Sequence, residues 1–347
     1  MGNKGNKMKI LVTGGTGYIG SHTVVKLLEQ NYEVVIVDDL SNSEESVLDA
    51  IKEITGKQPL FYQFDLCDSA KVAELFTEHK DIQAIIHFAA SKAVGESVQN
   101  PLKYYRNNLD SLINLLYQME QHGISNMVFS SSCTVYGQPD KLPVTEQTPF
   151  KPAESPYGNT KQVGEEILRD TTKAIDQIQA IALRYFNPVG AHESALIGEL
   201  PKGVPNNLVP FITQTAAGER EQLSIFGSDY DTHDGTAMRD YIHVVDLADA
   251  HVIALERLLD TKQKSSFEFF NLGTGNGCTV LETVKKFEEV SGVQLNYKLT
   301  DRRPGDVEKI YADTSFANKE LGWSAKLGLG DMMASAWKWQ KRISKID

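Results

Sequence analysis

The chain has 347 residues, 41% of them hydrophobic and 23% charged, which suits one large fold or two modest domains around a sizeable core. Its formal charge of -11 argues against a nucleic-acid or anionic-membrane partner, so an anionic substrate must meet locally placed basic groups. Three scattered cysteines with no CxxC pair, and histidines without ligand spacing, argue against a disulfide scaffold or a metal site and suit a reducing cytoplasm.

Residues 1–7 contain no apolar stretch of signal length and read as a disordered leader. Residues 10–13 are a short apolar run, followed by glycines at 14, 17 and 20 and then by helical periodicity through Leu28. Strand, glycine turn and helix in that order are the context of a dinucleotide site. Gly14 allows the tight turn, Gly17 lets backbone approach a pyrophosphate, and Gly20 lets helix and strand pack closely. The next strand, 33–37, ends at Asp38-Asp39. An acid there binds a ribose 2′-hydroxyl and repels a 2′-phosphate, which favours NAD over NADP.

Further strands are expected at 60–64, 84–88, 126–130 and 179–183, with helical segments between them. That alternation predicts an α/β fold with a doubly wound, Rossmann-like parallel sheet over residues 8–185. After Arg184 the rhythm breaks. Helices at 245–259, 280–290 and 331–341 then predict a smaller mixed α/β C-terminal domain over 186–347, built from non-contiguous segments, with parts near 240–275 returning to the first.

Residues 101–123 carry two apolar stripes. Leu112, Leu115, Leu116 and Met119 can cover the sheet, while Tyr105, Leu109, Ile113 and Tyr117 need another partner, for which a helix-bundle homodimer through segments near 101–122 and 157–173 is the expectation. In Ser155-Pro156-Tyr157-Gly158-Asn159-Thr160-Lys161, Ser155 can cap a helix that Pro156 begins. Tyr157 and Lys161, four apart, then share one face. A phenol of pKa near ~10 becomes a usable base only beside positive charge, and Lys161 or a bound cationic ring would supply it. Ser132, at the end of the 126–130 strand, could share the proton.

The glycine loop, the Ser132/Tyr157/Lys161 set and the run from Arg184 to His192 resemble the extended short-chain dehydrogenase/reductase family. His87 to Ser97, Pro205 to Leu208, Arg239 to His243 and Arg302 to Asp306 are similar to its UDP-glucose (UDP-galactose) 4-epimerase branch. The resemblance implies reversible inversion at the sugar C4 through a 4-keto intermediate, with hydride passing transiently to bound NAD. Tyr157, aided by Ser132, would take the hydroxyl proton, and Lys161 would hold the ribose. It further implies that Gly14, Gly17, Tyr18, Ile19, Gly20, Asp38, Asn42, Asp65, Leu66, Phe88, Lys92, Asn107 and Lys161 line the cofactor. Ser132, Thr134, Tyr157, Phe186, Asn187, Asn207, Arg239, Arg303, Asp306 and Ile310 would hold the UDP-sugar, with Ile310 facing the 2-substituent and allowing at most weak use of N-acetylated sugars.

Ala89-Ala-Ser-Lys92 departs from the Ala-Gly-Leu-Lys frequent in that branch. A 4,6-dehydratase needs an Asp-Glu pair after the strand-end hydroxyl, where this chain has Cys133-Thr134. A net dehydrogenase would be told apart by exchange of free cofactor. A non-catalytic NAD-binding protein of the same fold would be told apart by the absence of turnover.

Overall fold

The computed structural model describes residues 8–302 and 307–346. In chain order the first body runs β1 (Lys9–Thr13), α1 (Tyr18–Glu29), β2 (Glu33–Asp38), α2 (Ser46–Thr55), β3 (Leu60–Gln63), α3 (Ser69–Glu78) and β4 (Ile82–His87). It continues with α4 (Val94–Gln99), α5 (Pro101–Tyr105), a π turn (Arg106–Asp110), α6 (Ser111–His122), β5 (Asn126–Ser132), α7 (Pro156–Ala174) and β6 (Gln179–Tyr185). The remainder comprises β7 (Asn187–Val189), α8 (Leu208–Ala216), β8 (Leu223–Phe226), β9 (Met238–His243), α9 (Val244–Leu259), β10 (Phe267–Leu272) and β11 (Gly277–Thr279). It closes with α10 (Val280–Ser291), β12 (Tyr297–Thr300), β13 (Lys309–Ile310) and α11 (Leu329–Ser344).

Seven strands form one sheet in the order β10-β6-β5-β4-β1-β2-β3, and every neighbouring pair is parallel. The order turns back between β1 and β4, which opens a crevice at their carboxyl ends. Both faces are covered, so the inner strands are continuous Val/Ile/Leu runs without polar alternation. Ile10, Val12 and Ile86 pack with Val24, Val25, Leu247 and Leu255 from α1 and α9. On the opposite face Leu11, Val35 and Ile85 pack with Phe76, Leu115, Met119 and Leu168.

One feature departs from the sequence expectation. The 101–123 helix is interrupted by the π turn, which adds a residue per turn and rotates the second half relative to the first. Leu112, Leu115, Leu116 and Met119 are buried on the sheet as expected, while Tyr105, Leu109 and Ile113 are half-buried and Tyr117 is 61% exposed. The seventh strand, β10, falls within the segment near 240–275 expected to return to the first body. It lies on the far edge of the sheet and reaches it only after the chain has built much of the smaller lobe.

That lobe centres on β9, which pairs in parallel with β7 and β13 and antiparallel with β11. β8 and β12 form a separate parallel pair. Val189, Ile212, Ile225, Val284, Phe287, Met332 and Met333 make its core. Among the described residues, no helix is long and apolar enough to cross a membrane.

Candidate active site

The glycine loop joins β1 to α1 at the crevice. Gly14 adopts φ +69°, and its N–H donates to Val37 O at 2.8 Å. A Cβ on Gly20 would sit 2.1 Å from Gly14 O, so the constraint on Gly20 comes from the loop's own backbone and not from the strand. Gly17 is the N-terminal cap residue of α1. Asp38, at the end of β2, is 9% exposed, and its carboxylate accepts from Thr16 N (3.2 Å), Leu40 N and Ser43 Oγ (both 3.0 Å). One acid therefore ties the glycine loop to the turn after β2, with exposed Asn42 in that turn. Tyr18 donates its hydroxyl to Gly190 O at 2.6 Å, which fastens α1 to the strand opening the smaller lobe. Ile19 packs against the body's core.

Along the crevice the other expected cofactor residues follow the strand ends. Asp65 stands exposed after β3 and accepts from Cys67 N at 2.9 Å. Leu66 turns its side chain into the core and its carbonyl accepts from Asn114 Nδ2 at 2.8 Å, so its backbone and not its side chain is what it can offer a ligand. Phe88 follows β4, its ring 4.6 Å from that of His251. Lys92 is exposed with its ammonium 3.7 Å from Glu199 Oε1. Asn107 lies in the π turn, where its neighbour Asn108 does the tethering: Asn108 Oδ1 accepts from Ser91 N (2.8 Å), and its Nδ2 donates to Ser91 O and Thr160 Oγ1 (both 3.0 Å).

Ser132, Tyr157 and Lys161 are brought together at the end of β5, and each is less than one-tenth exposed. Ser155 caps α7 by accepting from Gly158 N at 3.2 Å, and Pro156 occupies the first turn, as the sequence predicts. Lys161 Nζ donates to Ser130 O at 2.7 Å and lies 6.0 Å from the Tyr157 ring centre. Burial pulls this ammonium down to about 8, and the Glu165 carboxylate one turn further on pulls it back up. Burial also holds His87 neutral, down to about 3, with the Lys161 charge adding to the effect. The expected lowering of the Tyr157 pKa by Lys161 is not found in the protein alone. Burial and then Tyr185 push the phenol up, and the Ser132 hydroxyl pulls it down. Desolvation of a phenolate outweighs one hydrogen bond, so the phenol stays protonated until further positive charge arrives.

The residues expected on the substrate side belong to different elements. Thr134 follows Ser132 in a short 3-10 turn, and its Oγ1 is buried with no partner, an orphan that a ligand hydroxyl or phosphate oxygen would satisfy. Phe186 is buried with Tyr136, Val144 and Ile310, and Asn187 opens β7. Arg239 and Ile310 are register partners across β9 and β13, which puts a guanidinium and an aliphatic wall on adjacent strands. Asn207 precedes α8 and donates to Glu199 Oε1 at 2.6 Å. Arg303, Asp306 and the expected leader at 1–7 lie outside the described residues.

Sequence reasoning missed Asn108, Glu165 and Asp240. Asp240 is fully buried under the turn after β10 and accepts from Thr274 N, Gly275 N and Ala312 N. Glu165 did carry a signal, four residues beyond Lys161 on the same helical face.

A Rossmann-type switch point with Asp38 at the neighbouring strand end fits an NAD, whose pyrophosphate would lie over the glycine loop. The chain matches the family model described as GDP-mannose 4,6 dehydratase over residues 11–336. It is 54% identical over 333 residues to the UDP-glucose 4-epimerase of Bacillus subtilis (strain 168), covering 96% of this chain and 97% of that one. Among solved structures it is similar to the UDP-glucose 4-epimerase of Stenotrophomonas maltophila with bound NAD and formylated UDP-arabinopyranose. The TM-score is 0.94 at 49% identity, over 97% of this chain and 99% of that one. The enzyme from Bifidobacterium longum in complex with NAD+ and UDP gives 0.91 at 48% identity, over 96% and 98%. By fold and by sequence over nearly its whole length, this chain belongs to the UDP-glucose 4-epimerase family.

Proposed function

We infer that the protein interconverts UDP-glucose and UDP-galactose by inverting C4, as a cofactor-retaining epimerase of galactose metabolism. The observation that carries this is the joint burial of Ser132, Tyr157 and Lys161 beside an NAD-type glycine loop, without the acid pair of a dehydratase at Cys133-Thr134. A bound oxidised nicotinamide would supply positive charge beside the phenol, and would accept a hydride from C4 and return it to the opposite face of the 4-keto sugar. Tyr157 accepts the hydroxyl proton and returns it, and Ser132 shares it. Lys161, anchored on Ser130 O, holds a ribose hydroxyl and keeps a charge near the phenol.

In this reading the seven-stranded body is the cofactor domain, and Asp38 holds the adenosine ribose. The smaller lobe is the substrate domain, with Arg239 on the diphosphate and Asn187, Asn207 and Thr134 on the remainder. Ile310 walls the sugar 2-position and permits weak use of N-acetylated UDP-sugars. The three free cysteines suit a cytoplasmic location. A homodimer through α5–α6 and α7 is part of the same proposal. Leu102, 82% exposed, and Tyr117 give it an apolar face, and Leu102→Glu with Tyr117→Glu should sediment as monomer.

The test is incubation of purified protein with UDP-galactose and no added cofactor, followed by separation of the sugars. UDP-glucose should form without net NADH. Stoichiometric accumulation of NADH would sink the epimerase reading in favour of a net dehydrogenase.

A further inference from the structure

Behind the three reacting residues lies a second polar cluster that the reaction does not use directly. Glu165 is fully buried, and Arg184 is 2% exposed. Arg184 Nε donates to Glu165 Oε1 (2.9 Å) and Oε2 (3.2 Å), and its Nη2 donates to Oε2 at 2.5 Å. Ser131 Oγ donates to Glu165 Oε1 at 2.5 Å. Arg184 Nη1 donates to Tyr136 Oη (2.9 Å), and Tyr136 donates to Asn271 Oδ1 (2.6 Å). Asn271 Nδ2 in turn donates to Val144 O at 3.1 Å, and Val144 N donates to Tyr311 O at 3.0 Å, beside Ile310. The guanidinium is stacked 4.1 Å from the Phe269 ring centre and 4.7 Å from that of Phe150. Nothing in this cluster is free to move separately.

A buried ion pair is weak evidence for stability, because replacing both partners by apolar groups is often neutral or stabilising. Its placement is more telling. Glu165 follows Lys161 by one helical turn, and Ser131, which it holds, lies between Ser130, whose carbonyl receives Lys161, and Ser132. We propose that Glu165 and Arg184 are positioning residues for the epimerisation: the pair locks the Lys161 helix to the end of β5 and fixes a carboxylate behind the Lys161 ammonium. This rests on the reading of Lys161 and Ser132 given above.

The electrostatics agree with the geometry. A buried lysine loses its proton readily unless an opposite charge stands near. Facing Lys161 and Tyr157 are Glu165, Ser132 and Cys133, His87 from β4, Tyr185 from β6, and Tyr104 from α5. His87, Cys133, Tyr104 and Tyr185 are all driven towards their neutral forms by burial. Glu165 is therefore the negative charge that opposes deprotonation. Because Arg184 and Ser131 hold it, it cannot swing forward to pair with the ammonium directly and cancel its field at the phenol.

The test uses the holoenzyme with Glu165→Gln, the double variant Glu165→Gln/Arg184→Met, and Lys161→Met. In Glu165→Gln, kcat should fall at least about 10-fold with KM for UDP-galactose nearly unchanged, and the alkaline limb of the kcat profile should move down by about one pH unit. The double variant removes both buried charges. It should regain thermal stability yet keep the shifted limb, and it carries the test if the single variant does not fold. Lysine 15N titration, assigned with Lys161→Met, should show the same shift without turnover. An alkaline limb at the wild-type pH in both variants would leave the pair a purely structural role and overturn the proposal. Activity retained in Lys161→Met would instead overturn the reading of Lys161 itself, and the proposal with it.

Discussion

Tyr157, Lys161 and Ser132 stand closed off from solvent at the end of a seven-stranded sheet, with the backbone and side chains behind them tied by hydrogen bonds. Across the cleft Asn207 is exposed before α8, and Asn187 and Arg239 are half-buried on short strands. In the proposed reading the first wall is the reacting one, and a transition-state charge is best met by groups already fixed in low dielectric. In the same reading the second wall would admit a nucleotide sugar and let the ring present both faces of C4. Chemistry and handling are thus assigned to different mechanical environments.

The sharpest way to break this comparison is Tyr157→Phe. On the first wall it should lower kcat by roughly 10²–10⁴ while leaving UDP affinity unchanged by calorimetry. Wild-type kcat in this variant would remove Tyr157 as the base. On the other wall Arg239→Ala should do the reverse. It should weaken UDP binding by about 1.5–3 kcal/mol, the range for a hydrogen bond to a charged group. Unchanged affinity would take Arg239 out of the site.

Ile310 sharpens the contrast because it alters selectivity and not rate. Ile310→Ala should raise the kcat/KM ratio of UDP-N-acetylgalactosamine to UDP-galactose, and Ile310→Tyr should lower it, within the about 1–3 kcal/mol that a hydrophobic misfit can supply. A ratio constant across the three proteins would mean that Ile310 is not the wall.

An effect on folding and not on turnover concerns acid. Burial holds His22 and His87 down to about 3 and His251 down to about 4, against an ordinary value near ~6.5. Below about pH 6.5 the unfolded chain binds protons that the folded chain refuses. The stability these residues confer is therefore complete above that pH and declines as pH falls, towards about 4 for His251 and about 3 for His22 and His87. Each adds the slope of one proton to the pH dependence of the unfolding free energy in that window. His251→Gln should flatten the measured slope of unfolding free energy by one proton, and an unchanged slope would show that His251 is charged in the fold.

Much of the body was legible because its signals are local. The Val/Ile runs of β1 and β2, the glycine turn and the Ser155-Pro156 cap each act within a few residues. The π turn was not, since the apolar periodicity of 101–119 runs on through it. β10 was legible only as a returning segment, because Phe267–Leu272 carries polar residues and gains its place by docking on β6. β11 and β13, three and two residues long, have no period to read and exist through pairing with β9. In the site, residue types were visible but environments were not: the upward push on Tyr157 and the clamp of Arg184 on Glu165 depend on burial among distant segments.

The late arrival of β10 has a consequence for biosynthesis. In the finished sheet Ala180 of β6 pairs with Phe267, and β7, α8, β8, β9 and α9 lie between them in sequence. A ribosome adding about 5–20 residues per second leaves the β6 edge without its final partner for several seconds. During that interval a fully apolar strand, Ala180 to Leu183, presents open backbone donors and acceptors at the growing sheet's margin. The nascent chain is thus most prone to mispairing with a neighbour on the same message between the emergence of residue 185 and that of residue 272. Truncations ending inside that span should aggregate more readily than those ending just beyond it.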